Sequence, residues 1–291
     1  MDFNKYYEDR QKLVNTFLEK RLEKKGISRV DEAMAYSLLA GGKRIRPIIL
    51  MATADALGVS GYNFLPVACG LEMIHTYSLI HDDLPCMDDD EYRRGRLTNH
   101  KVFGEAMALL AGDALLTLAF EVMLEQKNVP AEVLAETVRE VAMCAGNFGM
   151  VGGQVIDLDS EGRQISEEEL RKLHAGKTGA LFIAAVRSGA RLSGAASDEL
   201  LALTKFADLL GLAFQITDDI LDVEGDAAQM GKAAHSDEKK HKSTYVTLYT
   251  LEGAKALAQK TVDEALGCLE MFGENAEALR EITKMMCGRK S

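Results

Sequence analysis

Apolar residues recur along this chain at helical spacing. Long segments are filled with Ala, Leu, Glu, Lys and Met, and runs of alternating β-branched residues are scarce. The pattern predicts helices over roughly 2–25, 28–40, 47–57, 62–83, 100–127, 130–149, 166–175, 177–192, 197–223, 243–250 and 252–290. Only four prolines (Pro47, Pro66, Pro85, Pro130) punctuate the sequence, and none follows residue 130. The expected architecture is therefore all-α, a large helical bundle. No Pro/Ser/Gly-rich linker, internal repeat or low-complexity tract divides it, so residues 1–291 are read as a single domain.

Two segments depart from simple amphipathic patterning. Between Glu199 and Val223 almost every position is apolar, yet Asp208, Gly211, Gln215, Asp218 and Asp222 recur at spacings of three and four and fall on one helical stripe. A solvated face is the ordinary reading of such carboxylates. The flanking Phe214, Ile216, Ile220, Leu221 and Val223 argue instead for a buried helix whose polar line faces an internal cavity. In the second segment, the helix expected from Leu71 to Asp83 carries His75, Ser78 and Asp82 on one face. Pro85 stops it, because the residue before a proline is pushed out of the α region. A loop through Leu84-Pro85-Cys86-Met87 can then fold Asp88 back toward Asp82, so that both reach one pair of metal ions. An acidic surface loop is the plainer alternative. The register of an EF-hand, with its glycine and closing Glu, is missing.

Crowded carboxylates are costly unless cations neutralise them, and oxygen-only donors suit Mg²⁺ or another hard ion. The net charge of −11 disfavours nucleic acid or an anionic membrane surface as main partner, and an anionic substrate would need a bridging metal. Basic groups nevertheless cluster near the acids, in Gly41-Gly42-Lys43-Arg44-Ile45-Arg46, in Arg93-Arg94-Gly95 and in Gly176-Lys177-Thr178-Gly179. The helix expected to open at Pro47 offers free backbone N–H groups for a phosphate. A P-loop at 176–178 is excluded, since Arg171 stands where its first Gly is needed and no strand precedes it. Di-iron chemistry needs two inward Glu-x-x-His motifs. Besides Glu72-x-x-His75 there is only Glu238-x-x-His241, in a charged run with no apolar face.

With 47% apolar residues the chain can bury a large core, while no uninterrupted apolar run reaches the ~18 residues of a membrane span. Stable membrane insertion is not expected. The N-terminus does not look like a signal peptide, and the five unpaired-looking cysteines fit reduced thiols in a cytoplasm.

Taken together, the motifs resemble those of the trans-isoprenyl diphosphate synthases, most closely the bacterial short-chain group. The likeness runs over nearly the whole length: GGKRIRP at 41–47, EMIHTYSLIHDDLPCMDDDEYRRG at 72–95, LAGDALL at 110–116, GGQVIDL at 152–158, HAGKTGALF at 174–182, FQITDDILDV at 214–223, GK at 231–232 and KSTYV at 242–246. The resemblance implies the isoprenoid synthase fold and a prenyltransferase that joins isopentenyl diphosphate to dimethylallyl or geranyl diphosphate. It implies Asp82, Asp88 and Asp218 as ligands of three Mg²⁺ ions, supported by Asp83, Asp219 and Asp222. Arg93, Lys177 and Lys232 would join the metals on the allylic diphosphate, while Lys43, Arg46, His75 and Arg94 would hold isopentenyl diphosphate. Thr178 and Gln215 would face the allylic cation. Tyr77 and Ser78, just before the first acidic motif, would form the floor that stops the growing chain, and a bulky Tyr77 favours a fifteen-carbon product. Cys86 and the 98–103 segment also resemble geranylgeranyl diphosphate synthases, which keeps a twenty-carbon product open. A homodimer is expected, with the helix over 104–120 as a possible seam. A non-catalytic subunit of the same fold would have lost an acidic motif or the Lys/Arg set, and a terpene cyclase would need no Gly41–Arg46 segment; neither loss is seen. Met230 stands where Leu is usual, an exchange expected to be neutral, and the basic tail at 287–291 is left unassigned.

Overall fold

The computed structural model describes residues 1–23, 28–224 and 243–288. Lys232 and Lys242, the Glu238-x-x-His241 segment and the last three residues lie outside them. Thirteen α-helices occur among the described residues: α1 (Phe3–Leu22), α2 (Arg29–Leu38), α3 (Ile45–Ala56), α4 (Leu65–Asp82), α5 (Asn99–Phe103), α6 (Glu105–Leu124), α7 (Ala131–Ala145), α8 (Met150–Asp159), α9 (Glu167–His174), α10 (Ala180–Leu192), α11 (Ser197–Glu224), α12 (Tyr245–Gly267) and α13 (Glu277–Cys287). The one extended element among them is a two-residue antiparallel pair, β1 (Tyr92–Arg93) and β2 (Arg96–Leu97). The all-α expectation holds.

The core forms where helices are apolar on every side. Ile48 to Ala54 of α3, Val67 to Ile74 of α4 and Leu181 to Val186 of α10 are buried almost without interruption, apart from partly buried Ile183, so these helices are surrounded by others. Gly189 lets α10 approach α3 closely, since a Cβ there would lie 2.4 Å from the Leu50 carbonyl oxygen. A smaller apolar cluster joins Leu170 and Leu173 of α9, Ile216 and Ile220 of α11, and Tyr245 and Ala254 of α12. Helix α11 reaches both clusters, because Phe206 and Leu210 belong to the main core. Deep inside that core, Arg44 bridges Glu72 at 2.9 Å, donates to the Leu38 carbonyl and sits in the left-handed region with φ 52°. Leaving either partner of so buried a pair alone would be strongly destabilising.

Several boundaries differ from the sequence reading, each for a local reason. Helix α3 opens at Ile45 rather than at Pro47, which still lies in the first turn where a missing N–H costs nothing. The single helix expected over 100–127 is two, split at Gly104 with φ 88°. Residues 150–159, which carry two adjacent glycines and drew no helix, form α8. The last expected helix is interrupted by a 3₁₀ stretch, Glu270–Ala276, with Gly273 at φ 54°, whereas the expected break near residue 250 appears as a kink at Thr250 inside α12. Helices α6 and α11 are long and apolar enough to cross a membrane by length and composition. Here α6 packs on α4 and α11 on α10 and α12.

Candidate active site

Helix α4 ends at Asp82, and the chain turns tightly through Leu84 and Pro85. The backbone N–H of Asp88 returns to donate to the Asp82 carbonyl at 2.9 Å, and that of Asp89 to Leu84 at 3.2 Å, with Asp89 left-handed at φ 51°. The loop thus brings Asp88 back beside the helix end, which a straight helix would forbid. Asp82 and Asp88 are part-exposed, while Asp83 is buried and accepts both Nε (2.8 Å) and Nη2 (2.6 Å) of Arg93. Burial works against the Arg93 charge, but these bonds outweigh it and hold its pKa above the ordinary value. The same division recurs on α11, where Asp218 is part-exposed and Asp219 and Asp222 are buried. One Asp219 oxygen accepts the backbone N–H of Tyr245 at 2.8 Å, at the start of α12 where a negative charge suits the helix dipole.

Between these two acidic segments lies a π-helical turn, Ala175–Gly179, inserted where α9 passes into α10. Such turns are rare and concentrate at functional sites. Glycines on both sides explain how it fits. A Cβ on Gly153 of α8 would lie 2.0 Å from the Lys177 backbone nitrogen, and one on Gly211 of α11 would lie 3.0 Å from the Gly179 Cα. Successive side chains of the turn then point opposite ways. Lys177 Nζ donates to Asp157 of α8 at 2.6 Å and stands 3.7 Å from Asp82. Thr178 Oγ1 donates to Gln215 Oε1 of α11 at 3.1 Å, and Gln215 Nε2 lies 3.4 Å from Asp219. A continuous polar chain, Asp82–Lys177–Thr178–Gln215–Asp219, therefore ties the end of α4 to the acidic stripe of α11. Asp208, placed on the same stripe by its spacing, is exposed to solvent, and Gly211 serves the helix crossing.

Beside this chain a cationic recess is built from α3, α4 and the β1–β2 turn. Arg94, left-handed at φ 53°, donates to the Gly41 carbonyl, and its guanidinium occupies the space a Cβ on Gly42 would need, 2.8 Å away. Arg46 lies over the Phe182 ring with its guanidinium carbon 4.9 Å from the centroid, and its Nε is buried without a hydrogen-bond partner among the described residues. Burial pushes the Arg46 pKa down to about 10, and burial likewise lowers that of Arg94. Burial, then the charges of Arg46, Arg94, Arg93 and Arg44, hold His75 well below the ordinary histidine range, so its imidazole is neutral at neutral pH. Lys43 is exposed at the rim, its carbonyl accepting from the Tyr7 hydroxyl at 2.5 Å. Tyr77 is buried and meets His81 edge to face, and burial raises its pKa. Ser78 turns its hydroxyl back to the His75 carbonyl at 2.9 Å.

Two residues of this site escaped the sequence reading. Gln154 donates to Asp82 at 2.7 Å, and Asp157 receives Lys177. Their spacing of three would have put them on one face had 150–159 been read as a helix. The donors suit a hard cation, being carboxylate oxygens. Among the described residues no group of three or more His, Cys, Asp or Glu side chains forms a ready-made metal cage. Mg²⁺ fits such a set, since it takes one or two carboxylates and completes its shell with water and substrate phosphates.

Residues 27–286 match the family model of the polyprenyl synthetases. The chain is 44% identical to farnesyl diphosphate synthase of Geobacillus stearothermophilus over 99% of its own length and 98% of that protein. It is 43% identical to geranylgeranyl diphosphate synthase of Cyanophora paradoxa over 98% and 96%. The crystal structure of an FPP/GFPP synthase from Zymomonas mobilis superposes with a TM-score of 0.88 at 36% identity, covering 98% of this chain and 99% of that one. With the acidic segments, the π turn and the cationic recess all assembled by one bundle, the chain belongs to the polyprenyl synthetase family.

Proposed function

We propose that this protein is a prenyltransferase that condenses isopentenyl diphosphate first with dimethylallyl diphosphate and then with the resulting geranyl diphosphate, giving farnesyl diphosphate and releasing one inorganic diphosphate at each step. The observation that carries the reading is the link through the π turn, in which Lys177 stands 3.7 Å from Asp82 while its neighbour Thr178 bonds Gln215, three residues before Asp218 on α11. Breaking an allylic C–O bond creates a carbocation and a highly charged leaving group, so charge placed against the departing diphosphate lowers the barrier. Asp82, Asp88 and Asp218 would hold Mg²⁺, three ions by family resemblance, which when bound supplies Lewis-acid neutralisation of that diphosphate. Lys177, already beside Asp82, and Arg93, oriented by Asp83, add fixed positive charge. Lys232 is proposed for the same role. Thr178 and Gln215 turn oxygen atoms toward the allylic carbon while donating no nucleophile that would trap it. Arg46, Arg94 and Lys43 hold the second diphosphate, and neutral His75 donates a hydrogen bond without adding a further charge to the recess. The isopentenyl double bond attacks the cation, and the released diphosphate takes the proton.

Tyr77, with Ser78 beside it, is proposed as the floor that ends elongation at fifteen carbons. A twenty-carbon product is the second reading, supported by the geranylgeranyl diphosphate synthase relative and by the resemblance at Cys86 and the 98–103 segment. The working form is proposed to be a homodimer. Leu109 and Leu110 of α6, Phe148 (86% exposed), and Val151 and Val155 of α8 all face solvent, apolar side chains that a second copy would cover. The cysteines are present as thiols rather than disulfides, as in a reducing cytoplasm. The test is chromatography of the product made from isopentenyl and dimethylallyl diphosphates. Farnesyl diphosphate should dominate and vanish when EDTA removes Mg²⁺; condensation indifferent to EDTA, or only longer products, would overturn the metal or the length assignment respectively.

A further inference from the structure

We infer that Gly112 fixes the position of Tyr77 through His81 and so sets product length, an inference that rests on the reading of Tyr77 as the floor. Tyr77 and His81 stand one turn apart on the face of α4 that packs against α6. Their rings meet edge to face, with centroids 5.6 Å apart and an interplanar angle of 86°. His81 is fixed in turn by α6. Its Nε2 lies 2.9 Å from the Leu109 carbonyl oxygen and 3.8 Å from Asp113. The imidazole lies directly on the α6 backbone at Gly112, where a Cβ would be 2.1 Å from Nε2 and 2.4 Å from Cδ2.

Gly112 is not among the glycines with positive φ, so its conformation is open to any residue. Space alone demands glycine there, in the middle of a 20-residue helix where alanine would otherwise be preferred. Any larger residue must drive His81 off α6. The ring has a way out, its side chain being 25% exposed. Tyr77 would then lose the edge that holds its ring in the path of the growing chain. Gly112 is thus a positioning residue that acts on specificity through two neighbours, and neither it nor His81 belongs to the metal or diphosphate set.

The experiment compares the ratio of twenty-carbon to fifteen-carbon product for wild type, Gly112→Ala, His81→Ala, His81→Gln, Tyr77→Ala and the Gly112→Ala/Tyr77→Ala double variant. A ratio is insensitive to overall losses of turnover or stability. Gly112→Ala and His81→Ala should each raise it at least ~5-fold, the scale of one lost aromatic pair, and His81→Gln, which keeps a donor for Leu109, should raise it less. The double variant should match Tyr77→Ala alone, because both changes act through the same ring. A wild-type ratio in both Gly112→Ala and His81→Ala, with longer product from Tyr77→Ala, would overturn the inference and spare the floor. An unchanged ratio in Tyr77→Ala would remove the floor itself. Should Gly112→Ala not fold, His81→Ala decides.

Discussion

At the scale of single residues, burial sorts the aspartates. Asp82, Asp88 and Asp218 keep oxygens within reach of solvent, whereas Asp83, Asp219 and Asp222 lie inside, Asp83 on Arg93 and Asp219 on a helix N-terminus. Replacing Asp82 or Asp218 with Ala is expected to lower kcat by at least ~100-fold, the cost of one preorganised charge-stabilising group. Steady-state kinetics at saturating substrate checks this, and near-normal rates in both variants would remove them from the chemistry. The crowding of Asp82 to Asp90 and the apolar neighbours of Asp218 are written in the sequence itself, since carboxylates are rarely placed among Ile, Leu and Phe without a functional reason. Partners were not legible. That Arg44 serves Glu72 while Arg46 and Arg94 face the recess depends on contacts between α3, α4 and the β1–β2 turn, which no local pattern records.

At the scale of elements, glycine was the residue most open to misreading. Gly152-Gly153 weakens the helical propensity of 150–159, because glycine inside a helix costs about 1 kcal/mol relative to alanine. The crossing with the π turn overrides that propensity, since Gly153 alone leaves room for the Lys177 backbone. Missing α8 also hid Gln154 and Asp157. By contrast, the interruption at Gly176–Gly179 could be anticipated as a break between helical stretches, though not that it would be a π turn with Lys177 and Thr178 pointing apart. Gly153→Ala should therefore destabilise the fold by about 1–3 kcal/mol, the usual cost of overpacking, and lower kcat more than it raises KM as Lys177 shifts from Asp157. Urea unfolding and steady-state rates together test this; wild-type values of both would show the crossing to be tolerant.

At the scale of the molecule, helical period and scarce prolines were enough to predict an all-α bundle, because the pattern of buried positions is itself the record of packing. Where α6 turns its apolar residues outward, the pattern predicted a helix but not its outer face. Leu109 and Leu110 are exposed on one side while Ala108, Ala111 and Leu115 are fully buried on the other. If that outer face meets a second copy, Leu110→Glu should halve the mass seen by sedimentation at micromolar concentration, and an unchanged mass would place the interface elsewhere or leave none.

In the proposed mechanism, Asp82 and Asp88 on α4 and its loop and Asp218 on α11 together grip one diphosphate. Crystals grown with Mg²⁺ and a non-cleavable dimethylallyl thiodiphosphate test it directly. Metal density should join diphosphate oxygens to Asp82 and Asp88 on one side and to Asp218 on the other, with Lys177 against the same group. A diphosphate bound away from these aspartates, or metals that touch one segment and never the other, would contradict it.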